Sequence, residues 1–204
     1  MISDKMPLFL GSASPRRREL LATLLLPIRW ASVDVAESTT DGEPARVYLE
    51  RITAAKLQAA LRMPEAQNAG AVLVADTAVL VGGLVLGKPR NADEARSMIR
   101  ALSGREHEVC TRFSIAGLGA VHTETVSTTV VFRPLEEEEI EAYVATGEGS
   151  DKAGAYAIQG IGAFAVARIS GSWSNVVGLP ICEVVLALRK MGLLGRFPLA
   201  PAHS

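Results

Sequence analysis

Apolar runs and amphipathic stretches alternate along the chain, and their periods predict most of its elements. Leu8–Leu10 reads as a short strand, and Arg16–Leu25 as a helix that sets Leu20, Leu21, Leu24 and Leu25 on one face. Ile28–Val33 is the next strand, ending in the polar stretch Glu37 to Gly42, after which Pro44 opens a long helix to about Leu61. Ala71–Ala75 is apolar throughout, the pattern of a strand covered on both faces. Val79–Val81 and Leu84–Leu86 flank Gly82-Gly83 and predict a hairpin. Asn91 caps a helix to about Leu102, which Ser103-Gly104 ends. His107–Leu118 and Val121–Phe132 read as long strands around Gly119, and Glu136–Thr146 as a helix whose glutamates suit its N-terminus. A glycine-rich segment, Gly147–Gly162, leads to a strand over Phe164–Ile169, then to the Gly178-Leu179-Pro180 loop and a helix over Ile181–Met191. Residues 195–204, with Pro198 and Pro201, read as a loose tail.

Helices and strands alternate, yet the two long adjacent strands call for antiparallel pairing, so the pattern predicts a mixed sheet in an α/β fold. No repeat or linker interrupts it, and one domain over residues 1–204, open to a division into two lobes, is the expectation. Hydrophobic residues make up 49% of the 204, enough for a substantial core. The formal charge of −1, from 21 basic and 22 acidic residues, provides no global field for duplex nucleic acid. Any anion site must therefore be local. Aromatics at 5% are too few for base-stacking platforms. Cys110 and Cys182 have no metal-ligand spacing and read as free, mostly buried thiols of a reducing compartment. Pro7 to Gly11 is too short for a signal segment, and no stretch has the length of a membrane span. A cytoplasmic protein is expected.

Ser14 is a suitable helix N-cap and Pro15 suits the first helical position. Arg16, Arg17 and Arg18 then oppose the helix dipole, which leaves either a solvated basic turn or a site that receives a polyphosphate. On a wheel of the Pro44–Leu61 helix, Lys56 falls within the arc of Tyr48, Leu49, Ile52, Ala55, Ala59 and Ala60. It either snorkels along the core edge or reaches a ligand. Asp76, at the end of the most apolar strand and followed by Thr77, is either a ligand or metal group or a turn-forming cap. Lys88 follows the hairpin on Gly87-Lys88-Pro89-Arg90, without P-loop spacing. Gln159, in the glycine-rich segment, either reads a base edge with its amide or sits in an ordinary surface loop. The Glu136–Glu139 run reads as a solvated face, not a metal site, and His107 and His122 as strand or turn residues.

Taken together, these segments resemble the Maf family, the septum-formation-type nucleoside triphosphate pyrophosphatases. The match starts at Ser12-Ala13-Ser14-Pro15-Arg16-Arg17 and continues through Glu37, Lys56, Ala75-Asp76-Thr77 and Gly87-Lys88-Pro89. Leu102-Ser103-Gly104 with His107 and Thr111 follows, then Asp151–Tyr156 with Ile158-Gln159-Gly160, and Asn175–Pro180 closes the set. The resemblance implies an inosine-triphosphatase-like α/β fold, a mixed sheet flanked by helices, with two lobes around a central cleft and usually dimeric. It also implies metal-dependent hydrolysis of a nucleoside triphosphate to the monophosphate and pyrophosphate. Carried over, Asp76 is the proton acceptor, while Arg16, Thr77 and Gln159 occupy positions tied to base specificity. Arg17, Glu37, Lys56 and Lys88 match other polar residues of the pocket. Ser14, Arg17, Lys56 and Lys88 are expected to meet the phosphates, and Arg18 to be solvated. Mg²⁺, with Mn²⁺ as the alternative, is expected on Glu37 or Asp76.

The family's 7-methyl-GTP branch carries a Trp in the arginine motif and SDQ at the acidic triplet. With Arg16 and Ala75-Asp76-Thr77, this chain is more similar to the dTTP and UTP branch, modified pyrimidine triphosphates being further candidates. It departs from the family pattern at Ala157, where glycine is usual, and at Trp173, where tyrosine is common. The rival of another class is a nucleotide-binding regulator of division whose hydrolysis is incidental. A binding module needs only the cations, so Asp76 beside the full cation set favours catalysis.

Overall fold

The computed structural model describes residues 1–37, 43–195 and 197. Its elements are β1 (Leu8–Gly11), α1 (Pro15–Ala22), β2 (Ile28–Ala31), α2 (Ala45–Leu61), β3 (Ala71–Val81), β4 (Leu84–Leu86), α3 (Ala92–Leu102), β5 (Glu106–Gly117), β6 (Ala120–Phe132), α4 (Glu137–Ala145), β7 (Val166–Ser170), α5 (Trp173–Val177) and α6 (Ile181–Lys190). The strands are hydrogen-bonded in the order β2-β1-β3-β5-β6-β7, with β4 on β3. Parallel pairing of β1 with β2 and β3, and antiparallel pairing of β3 with β4 and β6 with β7, makes the sheet mixed, as the pattern predicted. The chain divides into two compact units. One comprises Met1–Asp76, Arg112–Thr125 and the chain from Gly178; the other comprises Thr77–Thr111 and Val126–Val177.

In the first unit β1 runs between β2 and β3, and all four of its residues are buried. Val72 and Val74 share one face of β3 and pack with Phe9 of β1, Ala116 of β5, and Leu57 and Ala60 of α2. Side chains alternate along a strand, so the same period brings Asp76 to this α2-facing side. Gly11 has no room for a side chain: a Cβ there would lie 2.8 Å from Val33 Cγ2 and 3.0 Å from Ala60 Cβ. Helix α1 is shorter than predicted. It stops at Ala22, and Leu25 takes a left-handed φ of 54° and is exposed. The ring of Pro27 disfavours helical geometry in the residue before it, so the leucine stripe cannot be continued.

Strand β3 differs from expectation in the opposite direction. The sequence breaks it at Asp76, but the strand passes through Asp76 and Thr77 and continues to Val81. A carboxylate usually favours turns because it competes for backbone amides; here it has a long-range partner instead, described below.

In the second unit the β3–β4 hairpin turns through Gly82 and Gly83, both at positive φ, as a two-residue primed turn requires. Asn91 caps α3, its Oδ1 accepting from Glu94 N at 2.9 Å. Three glutamates of α4 are paired with arginines. Glu141 accepts from Arg96 Nε at 2.7 Å, Glu137 from Arg100 Nε at 3.0 Å, and Glu139 is held to about pKa 2 chiefly by its hydrogen bonds from Arg133. Strand β7 begins at Val166, later than predicted, because Ile161–Ala165 forms a 3-10 turn. Helix α5, five residues long, is too short for any periodic signal. The expected tail lies outside the described residues except for Gly195 and Phe197. Among the described residues no helix is long and apolar enough to cross a membrane.

Candidate functional site

In the first unit, α2, β3 and the segment after β2 bring three charged side chains to one point. Lys56 Nζ donates to Asp76 Oδ1 at 2.6 Å and lies 2.5 Å from Glu37 Oε1. The lysine and aspartate side chains are buried; that of Glu37 keeps about a third of its exposure, 35%. Lys56 therefore does not snorkel. It reaches an inward pair of carboxylates. Tyr48, Ile52 and Lys56 recur every fourth residue and so stack along α2. Burial, followed by Asp76 and Glu37, pushes the Tyr48 hydroxyl pKa upward, so it stays protonated beside the carboxylates. Sequence reasoning placed Tyr48 in the core only.

The start of α1 supplies the second cation. Ser14 caps the helix, its Oγ accepting from Arg17 N at 3.5 Å. Arg17 is buried, and its Nε donates to Gly178 O at 2.7 Å and its Nη1 to Ser12 Oγ at 3.3 Å. Burial lowers its pKa from the usual value, Asp76 and Glu37 work against that, and Arg16 works with it. The arginine pattern is thus no solvated turn at position 17. Arg16 is half-buried. Arg18, expected to be solvated, stacks its guanidinium 3.8 Å over the Trp30 ring, because β2 runs beside α1.

Thr77, Lys88 and Gln159 belong to the second unit, on separate segments. Thr77 is half-buried, its hydroxyl 2.9 Å from Thr111 Oγ1. Lys88 is exposed, and the carbonyl of neighbouring Gly87 accepts from Gly154 N at 3.1 Å. This bond ties the lysine turn to the glycine-rich segment. Gly154 has a φ of 71°, and a Cβ on it would sit 3.1 Å from Val79 Cγ1. The non-glycine residue at positive φ in this segment is Ala155, at 60°, not Ala157.

Gln159 is exposed, on a turn gripped from both ends. Ahead of it, Tyr143 Oη accepts from Ala157 N at 3.2 Å and donates to Glu148 Oε2 at 2.9 Å. Beyond it, Glu148 accepts from Ile161 N at 2.7 Å and Gly162 N at 2.9 Å. Burial works to raise the Glu148 carboxyl, but the amide bonds and Tyr143 outweigh it and hold it below the usual range. Sequence reasoning missed Glu148, whose partners are distant in sequence. Glu148→Ala is expected to speed amide exchange at Ile161 and Gly162 by about tenfold or more, read by hydrogen-exchange mass spectrometry.

His107 anchors the same segment, its Nε2 2.9 Å from the Tyr156 hydroxyl and its ring edge-on to Phe132 and Tyr156. Burial pushes its pKa down to about 4. The unfolded chain therefore binds the extra proton first, and stability is lost as pH falls from about 6.5 through 4. The full loss is about 3–4 kcal/mol. Denaturant titrations at pH 7 and pH 5 should show a smaller decrease for His107→Gln than for the wild type. Of the two cysteines, Cys110 is buried as expected, but Cys182 is exposed.

No group of three or more His, Cys, Asp or Glu side chains gathers among the described residues. The convergence of Glu37 and Asp76 on one ammonium nevertheless shows that the chain aims two hard oxygen donors at a cation, a partial set that suits Mg²⁺ sharing substrate phosphates.

Two buried cations, Lys56 in contact with Asp76 and Glu37 and Arg17 within their field, on a mixed α/β fold are the kind of arrangement that suits an enzyme acting on an anionic substrate. The sequence profile of the family described as Maf-like protein matches residues 7–191. A dTTP/UTP pyrophosphatase of Anaeromyxobacter dehalogenans is 49% identical over 94% of this chain and 95% of its own length. Proteins of the same description from Myxococcus xanthus and Hahella chejuensis are 48% and 44% identical, covering 95% and 91% of this chain and 96% and 92% of their own lengths. The chain belongs to the Maf family.

Proposed function

We propose that the protein hydrolyses the pyrimidine nucleoside triphosphates dTTP and UTP to the monophosphate and pyrophosphate. A water oxygen bonds to the α-phosphorus, the bond from that phosphorus to the bridging oxygen of the β-phosphate breaks, and pyrophosphate leaves. Asp76 takes the proton of the attacking water. One observation supports this role most directly: the carboxylate is buried and fixed at 2.6 Å by Lys56, so it is positioned before substrate arrives. Arg17, Lys56 and Lys88 oppose the charge that gathers on the leaving pyrophosphate, and Ser14 also meets the phosphates. Arg16, Thr77 and Gln159 read the base.

Glu37 and Asp76 would hold a divalent cation, Mg²⁺ or alternatively Mn²⁺, which supplies neutralisation of the phosphate charge. The same reading makes the protein a cytoplasmic homodimer acting on free nucleotides. The near-neutral formal charge of −1 supports the absence of a nucleic-acid partner.

The test is pyrophosphate release from a panel of nucleoside triphosphates, with Mg²⁺ present and after chelation. dTTP and UTP should lead the panel, and only with Mg²⁺. Preference for 7-methyl-GTP, or no turnover of any triphosphate, would overturn the reading.

A further inference from the structure

We infer that Glu148 is a positioning residue for substrate binding: its carboxylate holds the exposed turn that carries Gln159 and so directs the Gln159 amide. The inference rests on the proposed function, which gives Gln159 its contact with the nucleotide, and adds the group that sets it in place.

An exposed side chain on a turn is only as well directed as the backbone that supports it. This turn does not hold itself. Its own closing bond, from Gly160 N to Ala157 O, is 3.4 Å, long for an amide hydrogen bond. The bonds from outside are shorter. Glu148 Oε1 accepts from Ile161 N at 2.7 Å, and Oε2 accepts from Gly162 N at 2.9 Å. Oε2 also accepts from Tyr143 Oη at 2.9 Å, and that hydroxyl accepts in turn from Ala157 N at 3.2 Å. One carboxylate thus grips the far end of the turn directly and the near end through Tyr143. Between the two ends Ile158 is buried and Gln159 exposed.

The backbone is shaped to admit this grip. A Cβ on Gly160 would lie 1.9 Å from Glu148 Oε1, and one on Gly162 would lie 2.8 Å from Tyr143 Oη. A side chain at either position would displace one of the gripping groups. The charge of the carboxylate matters as well as its reach, because a charged acceptor makes stronger hydrogen bonds than a neutral one. Three donors converge on its two oxygens, all of which a carboxylate can accept. A glutamine of the same shape has one acceptor oxygen, and its NH₂ group would face one of those donors. Glu148 acts through Gln159, so its effect belongs to substrate binding and not only to the stability of the fold.

Steady-state kinetics on dTTP and UTP with Mg²⁺ provide the test. Glu148→Gln is expected to raise KM by about tenfold and to leave kcat within about twofold, the pattern of a lost binding contact. Should Glu148→Gln fail to fold, Tyr143→Phe removes the hydroxyl that joins the near end and should raise KM by about threefold or more. In a Gln159→Ala background the same substitution should change KM by less than about twofold, because the contact it positions is already gone. Ile115→Val, a core substitution in the other unit, should lower the melting temperature and leave KM unchanged. An unchanged KM in the variant that folds, a rise in KM that multiplies with that of Gln159→Ala, or an equal rise in Ile115→Val overturns the inference and leaves the proposed function standing. A wild type inactive on both dTTP and UTP overturns the proposed function, and the inference with it.

Discussion

Asp76→Asn is expected to lower kcat for dTTP and UTP by about 10²–10⁴-fold, the contribution of a positioned general base, with little change in KM. The substitution is nearly isosteric, and its amide oxygen can still accept from Lys56 at the 2.6 Å contact, so the local fold should survive. What disappears is the capacity to take a proton and one negative charge. Melting temperature controls for the fold. Raising Mg²⁺ separates the two roles proposed for this residue. A base is not replaced by more metal, whereas a weakened ligand is. Near-wild-type turnover would remove Asp76 from the chemistry, and turnover restored by high Mg²⁺ would make it a ligand alone.

The sequence carried the fold where elements are long or capped. The α2 wheel put Lys56 inside, and the Asn91 cap and the Gly82-Gly83 turn both form as predicted. It failed where a long-range partner overrides local preference. The apolar pattern ends at Asp76 because a carboxylate ordinarily closes such a run, and nothing local reveals that Lys56, twenty residues earlier, makes the strand tolerable there. The end of α1 was overrun because the leucine stripe continues past the point where Pro27 bends the chain away. Chemistry followed the same division. The arginine turn, Lys56 and Asp76 were legible as misfits against dipole or apolar surroundings. Glu148 was not, since a glutamate before a glycine fits its place without comment. Its importance lies in which amides and hydroxyl it meets.

The arginine turn also gains a structural role that explains why it tolerates its own dipole. The Arg17 guanidinium reaches back to Gly178 O and Ser12 Oγ, so its charge is spread over fixed acceptors beside two carboxylates. Under the proposed function, a cation so placed needs no side-chain reordering to meet a phosphate, which is the condition for electrostatic stabilisation without reorganisation cost.

Lys56→Met is expected to have the largest effect on stability, because it removes the ammonium on which both carboxylates converge. Methionine fills similar volume, so the cavity contribution is small. The loss is electrostatic: Asp76 remains buried at 9% side-chain exposure, without the ammonium that contacts both it and Glu37, leaving the more distant Arg17 charge to offset them. Breaking a buried pair from one side costs about 3–5 kcal/mol, which at this chain length lowers the melting temperature by about 6–20 °C. Adding Asp76→Asn to Lys56→Met relieves the stranded charge, so the double variant should melt above Lys56→Met alone. That non-additivity is the diagnostic outcome of a double-mutant cycle. A purely packing role for the lysine stem would instead give additive losses, and Lys56→Met would then melt no higher when Asp76 is neutralised. Turnover separates a further possibility. If the double variant regains stability but not pyrophosphate release, the lysine–aspartate pair is held for the reaction, because the fold manages without it.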